Sequence, residues 1–71
     1  MANLRLKTLG FNIKVARMKQ NVSQEILAEK IGVTRETISK IETGNSETSI
    51  LTILDIARAL NVDINEFLKD V

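Results

Sequence analysis

The residues best suited to a specific chemistry lie in segment 34–41, where the apolar residues have helical spacing. Ile38 and Ile41 would share the inner face of such a helix, which leaves the polar side chains on or near its outer face. Those polar residues are Arg35, Glu36, Thr37, Ser39 and Lys40. Arginine donates two hydrogen bonds to guanine, glutamate accepts one from cytosine, and threonine contacts the thymine methyl group. The segment therefore carries the residue types that contact base edges in the major groove of DNA.

The elements that would position this segment are two short helices joined by a glycine turn. Ser23 and Thr34 are suited to cap helices over 24–31 and 35–41, because a hydroxyl accepts a hydrogen bond from an otherwise unpaired N–H group. Gly32 and Gly44 follow these helices at positions that favour a left-handed residue. Two helices joined by such a short turn form a helix-turn-helix, expected at about residues 23–42.

The rest of the chain predicts three further helices around one core. They cover residues 4–20, residues 50–60 after the N-cap Ser49, and a last short helix capped by Asp63 and ending near Leu68. No segment alternates as a half-buried strand does. We expect an all-α, compact five-helix single domain over residues 1–71. The residues expected to fill its core are Leu6, Leu9, Ile13, Ala16, Met18, Leu27, Ala28, Ile31, Ile38, Ile41, Ile50, Ile53, Ile56, Ala57, Leu60, Val62, Ile64 and Phe67.

The composition argues against several classes of function. The chain has 71 residues and neither cysteine nor histidine, which removes disulfides, thiolate metal sites and the commonest general base. We therefore expect no enzyme, no catalytic residue, no metal, no cofactor and no small-molecule ligand. No apolar run approaches the ~20 residues of a membrane span, and residues 1–10 do not form a signal peptide. A cytoplasmic protein without membrane contact is the expectation.

The charge is distributed unevenly along the chain. Residues 1–35 carry seven basic and two acidic side chains, whereas residues 36–71 carry three basic and seven acidic ones. A basic half joined to an acidic half is typical of a protein with one face for an anion such as nucleic acid. Two differently charged solvent surfaces would give the same pattern, and charge alone does not separate these interpretations.

Four motifs at consistent spacing resemble one known family. They are I-K-V-A-R at 13–17, S-Q-E-I-L-A-E-K-I-G-V-T at 23–34, I-S-K-I-E-T-G at 38–44, and L-D-I-A-R-A-L-N-V at 54–62, with F-L at 67–68. The chain resembles the repressor/Cro helix-turn-helix family, also called the xenobiotic-response-element family. The resemblance implies a repressor-like DNA-binding domain and a sequence-specific transcriptional regulator, either a repressor or a controller protein, with double-stranded DNA as its partner.

The resemblance also implies roles for single positions. Those that face the major groove in the family are Arg35, Glu36, Thr37 and Lys40. Those that contact the DNA backbone are Gln24, Thr34, Thr43, Asn45 and Ser46, and Gln24 also supports the recognition helix. Arg17 and Glu42 match a pair that forms an internal salt bridge, although two plain surface charges remain an alternative. Glu36 could equally stabilise the helix dipole in the first turn.

The loop after Gly44 departs from the family pattern. The family often has basic residues near positions 45 and 46, whereas this chain has Asn45 and Ser46. We therefore expect fewer phosphate contacts and a shallower salt dependence of DNA binding than in more basic relatives.

An apolar outer stripe on the predicted helix 50–60 suggests a homodimer. Leu51 and Leu54 would lie outside the core and, together with the C-terminal Phe67 and Leu68, are expected to form the subunit interface. A contiguous exposed apolar patch marks a contact surface more often than single exposed residues do. A twofold dimer would place two recognition helices about 34–36 Å apart and would require a palindromic operator.

Two alternatives remain open at this point. The chain could keep the fold and act as a protein-interaction module without specific DNA binding, which the uncharged loop after Gly44 favours slightly and Arg35 and Lys40 disfavour. Within the DNA-binding class, a phage-type repressor, a restriction–modification controller and an antitoxin-like autoregulator are not separated by the sequence.

Overall fold

Four α-helices and one 3-10 turn make up the computed structural model, which describes residues 3–71. The helices are α1 (Leu4–Lys19), α2 (Gln24–Ile31), α3 (Arg35–Thr43) and α4 (Ile50–Leu60), and the turn covers Ile64–Glu66. No strand occurs between residues 3 and 71, so the all-α prediction is confirmed. The prediction of five helices is wrong, because the fifth element is a 3-10 turn of three residues. Residues 1 and 2, which the single-domain prediction includes, lie outside the described range.

The helix starts follow the predicted caps. The hydroxyls of Ser23, Thr34 and Ser49 accept hydrogen bonds from the backbone N–H groups of Ile26, Thr37 and Thr52. Gly32 and Gly44 follow α2 and α3 with φ angles of 75° and 74°, in the left-handed region that glycine adopts without a Cβ clash. These caps and stops were predicted from residue types, and the structure confirms them. Helix α3 continues two residues beyond the predicted Ile41, to Thr43.

The core lies between the four helices and the C-terminal segment, residues 61–71, and each of these five parts contributes buried side chains. Its largest fully buried side chains are Ile13, Leu27, Ile38, Ile56, Leu60 and Phe67. All six were predicted to face inward. Two other core predictions are wrong, since Ile50 is 60% exposed and Met18 is 57% exposed. Ile50 is the first residue of α4, and its side chain tilts towards the helix N-terminus, beyond the packed turns. Met18 lies near the end of α1, on the face away from the core.

Helices α1 and α3 approach each other closely at Gly10. A Cβ atom at this position would overlap the carbonyl oxygen of Ile41 and would come within 2.7 Å of the Glu42 carbonyl oxygen. Only a residue without a side chain fits there. The glycine inside α1, which weakens the helix by ~1 kcal/mol relative to alanine, therefore permits the contact between α1 and α3.

The C-terminal segment closes the core through Phe67, which has no exposed surface. The assignment of Phe67 to a subunit interface is therefore wrong, because a side chain that is fully buried in one chain has no surface left for a second. Asn61 and Asp70 bracket this segment with left-handed φ angles of 54° and 62°. Between them lies the 3-10 turn of three residues, a length typical of this geometry. The Asn12 amide holds the segment to α1 by donating to the Phe67 and Lys69 carbonyl oxygens.

Candidate nucleic-acid interface

The turn between α2 and α3 sets the position of the candidate recognition helix. The N–H group of Val33 donates to the carbonyl oxygen of Ala28 at 3.0 Å, which folds the chain back directly after Gly32. Ala28 is buried, and its small side chain permits the close crossing of the two helices. The chain therefore leaves α2 and enters α3 within three residues, as a helix-turn-helix requires.

The outer face of α3 presents charged side chains on a firmly packed helix. Ile38 has no exposed surface and Ile41 is almost completely buried, so the inner face is fixed in the core. Arg35, Glu36 and Lys40 are exposed, and Thr37 and Ser39 are half-buried. The structure thus brings the four predicted major-groove residues Arg35, Glu36, Thr37 and Lys40 onto one helix. Glu36 and Lys40 lie opposite the core contacts, and Arg35 and Thr37 lie at the two borders of the exposed face.

A buried ion pair lies behind this face. The Arg17 guanidinium donates from Nε to Glu42 Oε2 at 2.7 Å and from Nη2 to Glu42 Oε1 at 3.0 Å, while Nη1 donates to the Val22 carbonyl oxygen at 2.8 Å. Arg17 is 9% exposed and Glu42 is 6% exposed. Both partners have hydrogen bonds to their charged groups, which offsets the loss of hydration on burial. The pair joins α1 to the C-terminal end of α3.

Gln24 extends this pair into a network that reaches the surface. Its Nε2 donates to Glu42 Oε1 at 3.0 Å, and its Oε1 accepts from Arg35 Nη1 at a longer 3.4 Å. The network therefore runs from Arg17 through Glu42 and Gln24 to Arg35. Four of the five N–H groups of Arg35 and one N–H of the Gln24 amide stay available for an external acceptor. The family resemblance implied that Gln24 supports the recognition helix, and its contacts with Glu42 and Arg35 are both with residues of α3. The individual partners of Gln24 were not predicted, because they lie 18 and 11 positions away in the sequence.

The predicted backbone-contact residues form two local clusters at the two ends of α3. At the start, the hydroxyls of Thr34 and Thr37 lie 3.0 Å apart, and Thr34 Oγ1 accepts from the Thr37 N–H. At the end, Thr43 Oγ1 donates towards the Ser39 carbonyl oxygen and accepts from Asn45 Nδ2. Thr34, Thr43 and Asn45 are exposed, whereas Ser46 is half-buried.

Three charged neighbours of this surface were missed in the sequence analysis. The backbone and Cγ of Lys7 lie against Gly44, so an exposed basic residue adjoins the uncharged loop that contains Asn45. Glu25 and Glu29 share with Arg35 a shallow depression of about 470 Å³ along α2 and α3. The sequence assigned both glutamates to the basic half of the chain, and only the packing shows that they approach Arg35.

Other site types find no support within the described range. Among residues 3–71, the acidic side chains form no group of three or more that could hold a metal ion. No helix in that range is both long and apolar enough to cross a lipid bilayer.

Comparison with known sequences identifies the family. The sequence model of the helix-turn-helix family matches residues 13–67. A protein of Archaeoglobus fulgidus named as a helix-turn-helix-type transcriptional regulator is 43% identical over 54 residues, which is 76% of each chain. The chain spans 26%, 58% and 50% of the length of three other curated relatives, from Sinorhizobium fredii, Rhodospirillum rubrum and Bacillus subtilis.

Solved structures agree with the sequence match. The restriction-modification controller protein C.AhdI from Aeromonas hydrophila is 31% identical with a TM-score of 0.84, over 87% of this chain and 94% of the other. The controller protein C.Esp1396I, solved as a tetramer with its natural 35 base-pair operator, is 30% identical with a TM-score of 0.83, over 94% of this chain and 88% of the other. The chain belongs to the helix-turn-helix family of transcriptional regulators.

Proposed function

We propose that this chain regulates transcription by placing α3 in the major groove of an operator and contacting base edges through Arg35, Glu36, Thr37 and Lys40. The observation that carries the proposal is the exposed polar face of α3 on a helix whose other face is locked by Ile38 and Ile41. A rigid helix with free arginine and lysine groups can recognise guanine through its two major-groove acceptors. The whole chain then acts as a single DNA-binding domain.

Gln24 and Arg35 have a coupled role in this proposal. Gln24 is the first residue of α2, where unpaired N–H groups and the helix dipole favour a phosphate. Its hydrogen bonds to Glu42 and Arg35 orient both the amide and the guanidinium before DNA arrives. Phosphate contacts from Thr34, Thr43, Asn45 and Lys7 would set the register, and α3 would supply the specificity.

The operator-bound controller protein suggests how the molecule assembles. That relative was solved as a tetramer on its operator. For this chain we propose a twofold dimer through the exposed Leu51 and Leu68 and the half-buried Leu54. Ile50, which is exposed beside Leu51, extends the same apolar surface. A twofold dimer pairs with a palindromic operator whose half-sites lie about one DNA turn apart.

Binding selection from a random DNA library tests the function. We expect wild-type protein at ~100 mM salt to enrich a palindrome with half-sites one turn apart, and the variant Arg35→Ala, Lys40→Ala to enrich none. The matched control is Lys14→Ala, Lys19→Ala, which removes the same charge from the surface of α1 and should enrich the wild-type sequence.

Weak, salt-sensitive binding without enrichment, shared by wild type and the α3 variant, would overturn the proposal. It would favour a protein-interaction module instead, a function with which the acidic Glu25 and Glu29 beside Arg35 are compatible.

A further inference from the structure

Helix α1 carries a second apolar stripe that the core does not use. Leu4 is 76% exposed, Phe11 62% and Met18 57%, and the half-buried Val15 lies between the last two. Together with Thr8, these residues recur at alternating spacings of four and three, which is the seam pattern of a coiled coil. The stripe, residues 4, 8, 11, 15 and 18, runs for about 21 Å along the helix.

This stripe lies on the side of α1 opposite the core. The buried residues of the helix are Gly10, Ile13 and Arg17, which follow the stripe by half a turn at 3.6 residues per turn. Single exposed apolar residues are ordinary on protein surfaces. Four apolar side chains aligned on the solvent side of one helix form a continuous contact surface instead.

Basic side chains flank the stripe on both sides. Lys7 and Lys14 follow one edge, Arg5 and Lys19 follow the other, and all four are exposed. Helix α1 contains no acidic residue. Two copies of this helix packed along their stripes would therefore bring like charges together in either orientation, which disfavours self-association. The same arrangement matches a partner helix with acidic flanks.

A groove beside the stripe offers a second contact surface for such a partner helix. It has a volume of about 400 Å³ and lies between Phe11 and Val15 on α1 and Val62 in the C-terminal segment. Asn12 crosses behind it to hold the C-terminal segment in place. Side chains of a helix lying along the stripe can enter this groove, as an amphipathic helix does in a hydrophobic groove.

The charged rim of this groove has two lysines, Lys19 and Lys69, and two carboxylates, Asp63 and Glu66, of which Glu66 is paired with Lys69. The excess positive charge beside the stripe therefore lies on α1, at Lys7 and Lys14.

We propose that the stripe on α1 binds an acidic amphipathic helix of a second protein. The stripe is separate from the outer face of α3 and from the apolar residues of α4, and of its flanking residues only Lys7 adjoins the proposed DNA surface. The chain can therefore hold its partner while α3 occupies DNA. The binding energy comes from burial of Phe11 and Met18, and the flanking lysines select an acidic partner.

A designed peptide tests the proposal on the whole chain. The probe is a synthetic helix of about three heptads with leucine at the seam and glutamate at both flanking positions, and its matched control has lysine in place of glutamate. Titration calorimetry at ~50 mM salt should detect binding of the acidic peptide alone, and the affinity should fall as salt rises.

Substitutions then locate the site. Phe11→Ser with Met18→Ser should weaken peptide binding by at least about tenfold, as expected for loss of central apolar contacts. Lys14→Glu with Lys19→Glu should reverse the preference towards the basic peptide. Ile26→Ser, which removes an exposed apolar side chain from α2, should leave the affinity unchanged. Circular dichroism with an unchanged melting temperature shows that each variant is folded.

Several results would overturn the proposal. Equal affinity for the acidic and basic peptides, or an equal loss of affinity with Ile26→Ser, would show that the contact is not made at the stripe. Absence of peptide binding at about 1 mM would show that the stripe has too little affinity. Binding to phosphatidylglycerol vesicles without binding to the peptide would assign the stripe to a lipid surface instead.

Discussion

The carboxylate of Glu42 joins three helices at a single residue. It pairs with Arg17 on α1 and accepts from Gln24 on α2, and it lies near the end of α3. Two charges at this level of burial stabilise the structure only as a pair, since either one alone keeps its desolvation penalty without the compensating attraction. The charge on Glu42 is thus a requirement of the fold as well as of the orientation of Gln24.

Removal of that charge should destabilise the chain strongly. We expect Glu42→Gln to lower the free energy of unfolding by about 3 kcal/mol, because Arg17 would stay buried without a counter-charge. Urea denaturation measures the loss. The variant Arg17→Met, Glu42→Gln should lose less than the single variant, since no charge is then left buried. Glu36→Gln on the exposed face should change stability by less than about 0.5 kcal/mol. A single variant as stable as wild type would contradict the structural role of the pair.

At Gly10, close packing predicts a change in stability opposite to the one that helix propensity predicts. Alanine is favoured over glycine in a helix by ~1 kcal/mol. At position 10, however, the added methyl group would overlap the backbone of Ile41 and Glu42. We expect Gly10→Ala to destabilise the chain by about 1–3 kcal/mol in urea denaturation, as overpacking does. Lys14→Ala on the exposed side of α1 should have little effect. Stabilisation by Gly10→Ala would show that α1 and α3 are not packed this closely.

At the scale of elements, α3 and α4 begin with the same local structure. Thr34 and Ser49 each accept from an N–H group three residues later at 3.2 Å. Each hydroxyl also lies 3.0 Å from a threonine hydroxyl, of Thr37 and Thr52 respectively. Only the first cap belongs to the proposed DNA surface. The two caps therefore form a matched pair that separates stability from DNA contact.

Alanine at either cap should cost similar stability and different affinity. We expect Thr34→Ala and Ser49→Ala each to lower the free energy of unfolding by about 1 kcal/mol. On the selected operator, measured well below the melting temperature, Thr34→Ala should also weaken binding by about tenfold, as loss of a charge-assisted phosphate contact would. Ser49→Ala should leave the affinity unchanged. Equal affinities of the two variants would remove Thr34 from the DNA surface.

The elements were more predictable from sequence than their contacts. Ser23, Thr34, Ser49 and the two stop glycines are local signals, and they placed the starts of α2, α3 and α4 correctly. The last element was misjudged because the spacing of Ile64 and Phe67 fits an α-helix and a 3-10 turn equally, and the structure has a 3-10 turn of three residues.

In the candidate site, too, local positions were predictable from the sequence and tertiary contacts were not. Helical spacing alone placed Arg35, Glu36 and Lys40 on an exposed face. Three features of the site depend on tertiary packing between residues that are distant in sequence. They are the partners of Gln24, the position of Lys7 against Gly44, and the depression that Glu25 shares with Arg35. No periodicity within one segment carries that information.

At the scale of the whole molecule, three exposed surfaces face away from the core in different directions. They are the polar face of α3, the apolar residues at the start of α4, and the basic-flanked stripe of α1. The assignment of self-association to α4 and not to α1 follows from charge. Helix α1 itself carries only basic charges along its stripe, and the two carboxylates of the adjoining groove, Asp63 and Glu66, belong to the C-terminal segment. Helix α4, by contrast, has both Asp55 and Arg58 exposed beside its leucines.

Substitutions on α4, and not those on α1, should therefore disrupt self-association. We expect Leu51→Glu to shift the protein from dimer to monomer in sedimentation velocity, because a carboxylate at the centre of an apolar interface is left without a partner. Leu4→Glu, at a similarly exposed leucine on α1, should stay dimeric. Wild-type protein that sediments as a monomer, or a Leu51→Glu variant that stays dimeric, would contradict an interface on α4.

Base-by-base substitution of the selected operator tests most directly that α3 recognises sequence. Affinities of wild type and Arg35→Ala are measured for every single base-pair change in one half-site. We expect Arg35→Ala to lose about 1–3 kcal/mol on the intact operator and to lose discrimination at one base pair only. Discrimination at the other positions should persist. A uniform loss of affinity with an unchanged specificity profile would show that Arg35 contacts phosphate, and that α3 does not recognise bases through this residue.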